Sequence, residues 1–389
     1  MSNQDHHSHW DIFCAVVDNY GDIGVTWRLA KQLAKEYGLE IRLWVDDLAS
    51  FAHILPKLDP NCPSQSFEGV CIKHWDEPLS LAYVPGKVLI EAFACELPAK
   101  VINSITALHQ GGGKAPVWLN LEYLSAEDWV EGCHGLPSLQ RSGLKKHFYF
   151  PGFTHKTGGL ICEADLLNKR EHWQTTNQRL DYFNQLGLKG INTDDTVISL
   201  FSYETPSLET LCQLWRTGEQ KVHLLVPVGR SLNSLKTLIG DTAACQPGQQ
   251  FTLDKLTVHI LPMTDQQGYD RLLWSCDFNI VRGEDSFLRA QWAARPFIWH
   301  IYPQEEDYHL IKLEAFMALY CHNLAPEIAK AWKMLNLGFN QGAQEELVPL
   351  WQHVTNAHPA LTQHAQNWPS DALNDADLAT RLVQFVKNS

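Results

Sequence analysis

Hydrophobic and polar positions follow two periods along this chain. From Asp11 to Val17 a short run holds Ile12, Phe13, Val16 and Val17, which reads as a strand. A polar stretch with two glycines follows, Asp18-Asn19-Tyr20-Gly21-Asp22-Ile23-Gly24, and reads as a turn. From about Val25 to Tyr37 the pattern changes. Leu29, Leu33 and Tyr37 recur every four residues with Ala30 and Ala34 alongside, the single apolar stripe of a helix lying on a sheet. Gly38 suits the position just past that helix. Ile41 to Val45 is the next strand. Strand, helix and strand in this order form a βαβ unit, which requires a parallel sheet.

Lys87 to Ala94 and Val117 to Leu121 extend the first half as strands. The stretch from Gly135 to Gly190 is rich in glycine, lysine and polar groups and holds the break between domains. The second half repeats the α/β alternation. Its strands are predicted at Thr196 to Phe201, Val222 to Val226, Leu256 to Leu261, Phe278 to Val281 and Pro296 to Ile301. Helices are predicted after Thr205-Pro206, at Tyr269 to Ser275, at Ser286 to Ala294 and at Gln304 to Tyr320. A last amphipathic helix runs from Asn374, its expected cap, to Val386. The expected division is therefore residues 1–160, residues 161–372, and a terminal helix at 373–389 packing back towards the first domain. Open α/β sheets bind ligands outside the carboxyl ends of their strands, so function is to be sought in the loops that follow strands.

Composition narrows the classes. A chain of 389 residues with 45% apolar and 19% charged positions has material for two globular cores. Its net charge of −13 and lack of a basic run disfavour nucleic acid as a partner. The first ten residues are polar and His-rich, without the apolar core of a signal peptide, and His6, His7 and His9 are expected in a solvated tail. No apolar run approaches the ~20 residues of a membrane span. Ten cysteines without a CxxC pair suit reduced thiols and a cytoplasmic location.

Four segments after strands carry candidate chemistry. In the first, Asp18 and Asp22 bracket Asn19, Tyr20 and Gly21 at a helix start, and either acid could serve as a general base or cap the turn. In the second, Arg282-Gly283-Glu284-Asp285-Ser286 leads into a helix. Asp285 or Ser286 can cap that helix, its free N–H groups with Arg282 suit a diphosphate, and Glu284 suits a sugar hydroxyl. In the third, Phe201 and Tyr203 alternate on one side of an extended segment and could sandwich a flat base or simply fill the core. The fourth is Trp299-His300-Ile301-Tyr302-Pro303-Gln304 with the acids Glu305 to Asp307 starting the next helix. Asp46-Asp47 follows a strand without a glycine fingerprint, and Asp194-Asp195 reads as a loop pair. Histidine and cysteine spacing supports no metal site.

The run from Asp18 to Ala30, DNYGDIGVTWRLA, resembles the N-terminal signature of the elongation factor P arginine rhamnosyltransferases, the EarP family. The run from Val281 to Ala293, VRGEDSFLRAQWA, with Pro296 to Gln304 after it, resembles the C-terminal one. The resemblance implies a GT-B fold, two Rossmann-like domains facing across a cleft. It implies inverting transfer of rhamnose from dTDP-β-L-rhamnose to an arginine of elongation factor P, which then relieves ribosomes stalled at polyproline. By position, Asp22 and Asp18 fall on the family's essential aspartates, with Asp22 the first choice as base. Asn19, Tyr20, Gly21, Phe201, Tyr203, Arg282, Gly283, Glu284, Asp285, Ser286 and Gln304 fall on its donor-binding segments. No metal or other cofactor is implied. Two other readings stand beside this one. A GT-B transferase acting on cell-envelope glycans would need a basic, apolar membrane-facing patch, and a non-catalytic binding protein would lose no activity when Asp22 is changed.

Overall fold

The computed structural model describes residues 8–16, 20–76, 83–176 and 178–389. The chain divides into two compact units, Met1–Ala164 with Ala372–Ser389, and Asp165–Asp371.

The first unit is built on an eight-stranded sheet in the order β3-β4-β2-β1-β5-β6-β8-β7. Its strands are β1 Trp10–Cys14, β2 Ile41–Val45, β3 Ser64–Phe67, β4 Val70–His74, β5 Val88–Ala92, β6 Val117–Leu121, β7 Pro137–Leu139 and β8 Lys145–Tyr149. The six inner strands run parallel, and an antiparallel strand closes each edge. Phe13, Trp44, Leu89 and Trp118 share one face and pack under Val101 and Ile105 of the helix Ala99–Gln110. Ile12, Leu43 and Ile90, one residue off in register, point the other way, as the two-residue period of a strand demands. The helix Gly21–Tyr37 packs on β1, β2 and β4 and buries Ile23, Trp27, Leu29 and Leu33.

The second unit carries a six-stranded sheet, β11-β12-β10-β9-β13-β14. Its strands are β9 Thr196–Leu200, β10 Val222–Pro227, β11 Gln250–Leu253, β12 Leu256–Leu261, β13 Phe278–Arg282 and β14 Phe297–His300. All are parallel except β11. The β14 edge is covered by two asparagines of the helix Pro326–Gln341. Asn336 Oδ1 accepts from the Trp299 N–H at 3.2 Å, and Asn340 accepts from the Ile301 N–H at 3.0 Å while donating to the Trp299 carbonyl at 2.9 Å. Side-chain amides thus satisfy backbone groups that an open edge would leave for another chain.

Several sequence expectations change. His9 is not in a solvated tail. It is 4% exposed against the buried Asp11, which also receives Arg42 at 2.6 and 2.7 Å and Trp44 at 2.8 Å. Burial pushes the Asp11 carboxyl up, but the hydrogen bonds of His9, Arg42 and Trp44 and the charge of Arg42 leave it below its ordinary value. His6 and His7 lie outside the described residues. The first helix starts at Gly21, so Gly21 to Gly24 are its first turn and not a loop. The terminal helix is Leu378–Asn388, three residues later than expected from a cap at Asn374. Its cap is Asp377, which accepts from Ala379 and Thr380, while Asn374 has a left-handed backbone, φ 50°. The helix expected from Gln304 begins at Tyr308, because Glu306 and Asp307 are left-handed, φ 54° and 57°. All ten cysteines are free thiols. Among the described residues no helix is long and apolar enough to cross a membrane.

Candidate active site

The candidate residues fall at the carboxyl ends of both sheets. In the first unit, β1 ends at Cys14 and the helix Gly21–Tyr37 begins seven residues later. Asp22 sits in the first turn of that helix, where the helix dipole favours a negative charge. It is 7% exposed and does not act as the helix cap, a position held by Tyr20 without a side-chain bond. Tyr20 packs against His53 at 5.3 Å between rings, and Gly21 has open space where a Cβ would stand. Asp46 holds the start of the loop by accepting from the Val16 N–H at 2.8 Å, and Asp47 caps the helix Leu48–Ala52. Asp18 and Asn19 lie outside the described residues.

In the second unit, β13 ends on Arg282, Gly283 turns the chain at φ 65°, and a helix runs from Asp285 to Trp292. The residue at its cap position is Glu284, and neither Asp285 nor Ser286 caps it. The Gly283 carbonyl accepts from Trp299 Nε1 at 3.0 Å, and Trp299 stacks on Phe287 with ring centres 3.7 Å apart. This turn is therefore held from beneath by two aromatics. Arg289 on the same helix makes a buried bidentate pair with Asp270 at 2.8 and 2.6 Å, which locks the helix to its neighbour Gln266–Ser275.

Phe201 and Tyr203 follow β9, beside this turn. The Arg282 guanidinium lies over both rings, 4.6 Å and 4.8 Å from their centres. The aromatic pair thus orients a cation at the strand end, a use that alternation alone did not show. The segment is fastened by the short 3-10 helix Arg230–Leu235. Ser231 Oγ accepts from the Ser202 N–H at 2.9 Å and donates to the Ser202 carbonyl at 3.0 Å, and Ser234 accepts from the Thr205 N–H at 3.0 Å. Tyr203 also meets His300 and Tyr302 edge-on, at 5.4 and 5.5 Å. Burial, then the charges of Arg282 and His309, pushes His300 down to about 3, so its imidazole stays neutral. Gln304 is exposed, and its N–H donates to His309 Nδ1 at 3.2 Å.

Sequence reasoning missed Ser231, Ser234 and the edge-on packing of His300 on Tyr203. Small hydroxyls in a polar loop leave no periodic signal, and only the fold brings residue 231 beside residue 202. Among the described residues, no group of three or more His, Cys, Asp or Glu could hold a metal ion. Asp195, expected as a loop acid, receives His223 at 3.2 Å, and His223 in turn meets His259 at 2.9 Å.

Residues 10–387 match the EarP family, described as Elongation-Factor P (EF-P) rhamnosyltransferase. The chain belongs to that family. It is 64% identical to the protein-arginine rhamnosyltransferase of Shewanella oneidensis over the full length of both chains. It is 46% identical to the one from Pseudomonas aeruginosa, over 97% of this chain and 98% of the other. Among solved structures, one described as the structural basis for EarP-mediated arginine glycosylation of translation elongation factor EF-P superposes with a TM-score of 0.68. It is 35% identical and covers 98% of this chain and 99% of its own. MurG of Acinetobacter baumannii, 12% identical, aligns over 98% of this chain and all of its own with a TM-score of 0.50, a likeness of fold alone. The two α/β sheets of this EarP chain are those of a GT-B glycosyltransferase.

Proposed function

We propose that the chain transfers rhamnose from dTDP-β-L-rhamnose to an arginine side chain of elongation factor P, with inversion at the anomeric carbon, so activating the factor for polyproline-stalled ribosomes. The observation that carries this reading is end-to-end identity of 64% to a protein-arginine rhamnosyltransferase. The chemistry follows from the two sheet edges. A guanidinium has a pKa above ~12 and is a poor nucleophile at neutral pH. Asp22 pairs with it, holds one nitrogen in line with the sugar, and takes up its proton as the new N–C bond forms. The C–O bond to the diphosphate breaks in the same step, and dTDP leaves with the electron pair. Arg282 and the N–H groups at the start of the helix Asp285–Trp292 neutralise the charge growing on that leaving group. Glu284 and Ser286 take donor hydroxyls, and Tyr203 with Phe201 flanks the thymine side. Asp18 steadies this loop or shares the acceptor with Asp22, and Asn19, Tyr20 and Gly21, like Gln304, serve the donor.

The test is incubation of the full chain with elongation factor P and dTDP-β-L-rhamnose, followed by intact-mass and NMR analysis. The expected product is the factor carrying one deoxyhexose on arginine with an α linkage. An acceptor of unchanged mass beside an active control enzyme, or a β linkage, contradicts the proposal.

A further inference from the structure

Beyond Asp22, the carboxyl edge of the first sheet carries a second group of residues that the proposed transfer does not use. β5 leaves the sheet through Phe93 and Ala94, two successive non-glycine residues with left-handed backbones, φ 58° and 53°. The Phe93 N–H donates to the Leu121 carbonyl at 2.7 Å, and the Ala94 N–H donates to Asn120 Oδ1 at 3.0 Å. This bend lays Phe93 flat against Tyr123, with ring centres 4.5 Å apart and planes 21° from parallel. Tyr123 remains 43% exposed. Beside it, Glu122 is half-buried, and its carboxylate accepts from Asn120 Nδ2.

The charge count here is uneven. Glu91, 4% exposed, takes Lys146 at 2.8 Å, so the ammonium that also acts on Glu122 is already paired with Glu91. Burial raises the Glu122 carboxyl above its ordinary value, Lys146 and Asn120 oppose this, and Glu91 adds to it. A half-buried carboxylate one residue along the chain from an exposed aromatic ring offers a basic side chain the two kinds of group that recognise it, an acid and a π-face. β5 lies between β1 and β6, so about 10 Å separates this platform from the exit of β1. A single guanidinium engaged by Asp22 does not span that distance.

We propose that Glu122 and Tyr123, backed by Phe93, form a specificity site for a second basic side chain of the protein acceptor, flanking the arginine that is modified. This rests on the reading that Asp22 serves the acceptor arginine, and it adds a determinant of which arginine is chosen.

Direct binding of elongation factor P to the full chain tests it, alongside steady-state rates. Tyr123→Ala and Glu122→Gln each weaken acceptor binding and raise the acceptor KM about tenfold. Both leave kcat, donor KM and dTDP affinity at wild-type values, and Tyr123→Phe restores binding. Tyr123 is exposed, so its variants fold whatever the fate of Glu122→Gln. Unchanged acceptor affinity in Tyr123→Ala, or an equal change in donor KM, overturns the proposal. A wild-type chain that binds the factor but transfers nothing would instead overturn the proposed function and leave this site standing.

Discussion

The two sheet edges are built on opposite electrostatic plans. At the second unit's edge the cation is already housed: Arg282 lies over Phe201 and Tyr203, and Trp299 and Phe287 hold the turn that follows it. At the first unit's edge the charged groups that follow the strands are acids, Asp22 buried in a helix start and Glu122 half-buried near the Lys146 that pairs with Glu91. The lesson is that each edge suits a partner of opposite charge. In the proposed transfer a diphosphate meets a prearranged arginine and helix N–H groups, and an arginine side chain meets carboxylates. The pairing separates donor recognition from acceptor activation, which the following substitutions are chosen to break or sharpen.

The largest effect is expected at Asp22. Asp22→Asn keeps shape and burial but removes the proposed proton acceptor, and turnover measured by acceptor mass should fall by about 10²–10⁴-fold. Next is Asp270→Ala, which removes the buried carboxylate that Arg289 pairs with bidentately. Unfolding in urea should show a loss of about 3–5 kcal/mol, with the first unit unaffected in its own transition. Smaller is Tyr203→Ala, which removes one of the two rings under Arg282. Calorimetry should show dTDP binding weakened by about 1–3 kcal/mol, the range for loss of one stacking partner.

The mildest is a pH dependence that separates the units. Burial holds His259 at about 4 and His300 at about 3 in the second unit, against an ordinary value near 6.5. The unfolded chain therefore takes up protons first as pH falls below about 6.5. Stability of that unit is full above this point and declines as pH drops towards 4 for His259 and towards 3 for His300. In the first unit His134, only half-buried and held at about 4 mainly by burial, acts in the same direction. Denaturation midpoints taken from pH 7 to 4 should fall, with the second unit's signal, which carries two such histidines against one, falling further.

Much of the frame was legible because buried strands keep a plain signature. β2, β6 and β12 fall where the apolar runs Ile41 to Val45, Val117 to Leu121 and Leu256 to Leu261 begin and end. Short edge strands did not show. β3, Ser64–Phe67, alternates exposed and half-buried residues, and β7 has three residues starting at a proline, so neither has a run to read. The start of the first helix was hidden by Gly21 and Gly24, poor helix formers tolerated in a first turn where packing of Ile23, Val25 and Trp27 decides the conformation. Helix signals failed again at Glu306 and Asp307, whose left-handed backbone no pattern of acids predicts. At the site, the motif residues Asp22, Arg282 and Tyr203 stood out by position after strands. Ser231, Asn336 and Glu122 could not, since their roles come from contacts between segments remote in sequence.

The division between the two edges is tested most directly by titrating dTDP into the full chain carrying Asp22→Asn. The account predicts a dissociation constant equal to that of the wild type in a protein that no longer transfers sugar. A tenfold weaker constant, or retained transfer, would contradict it.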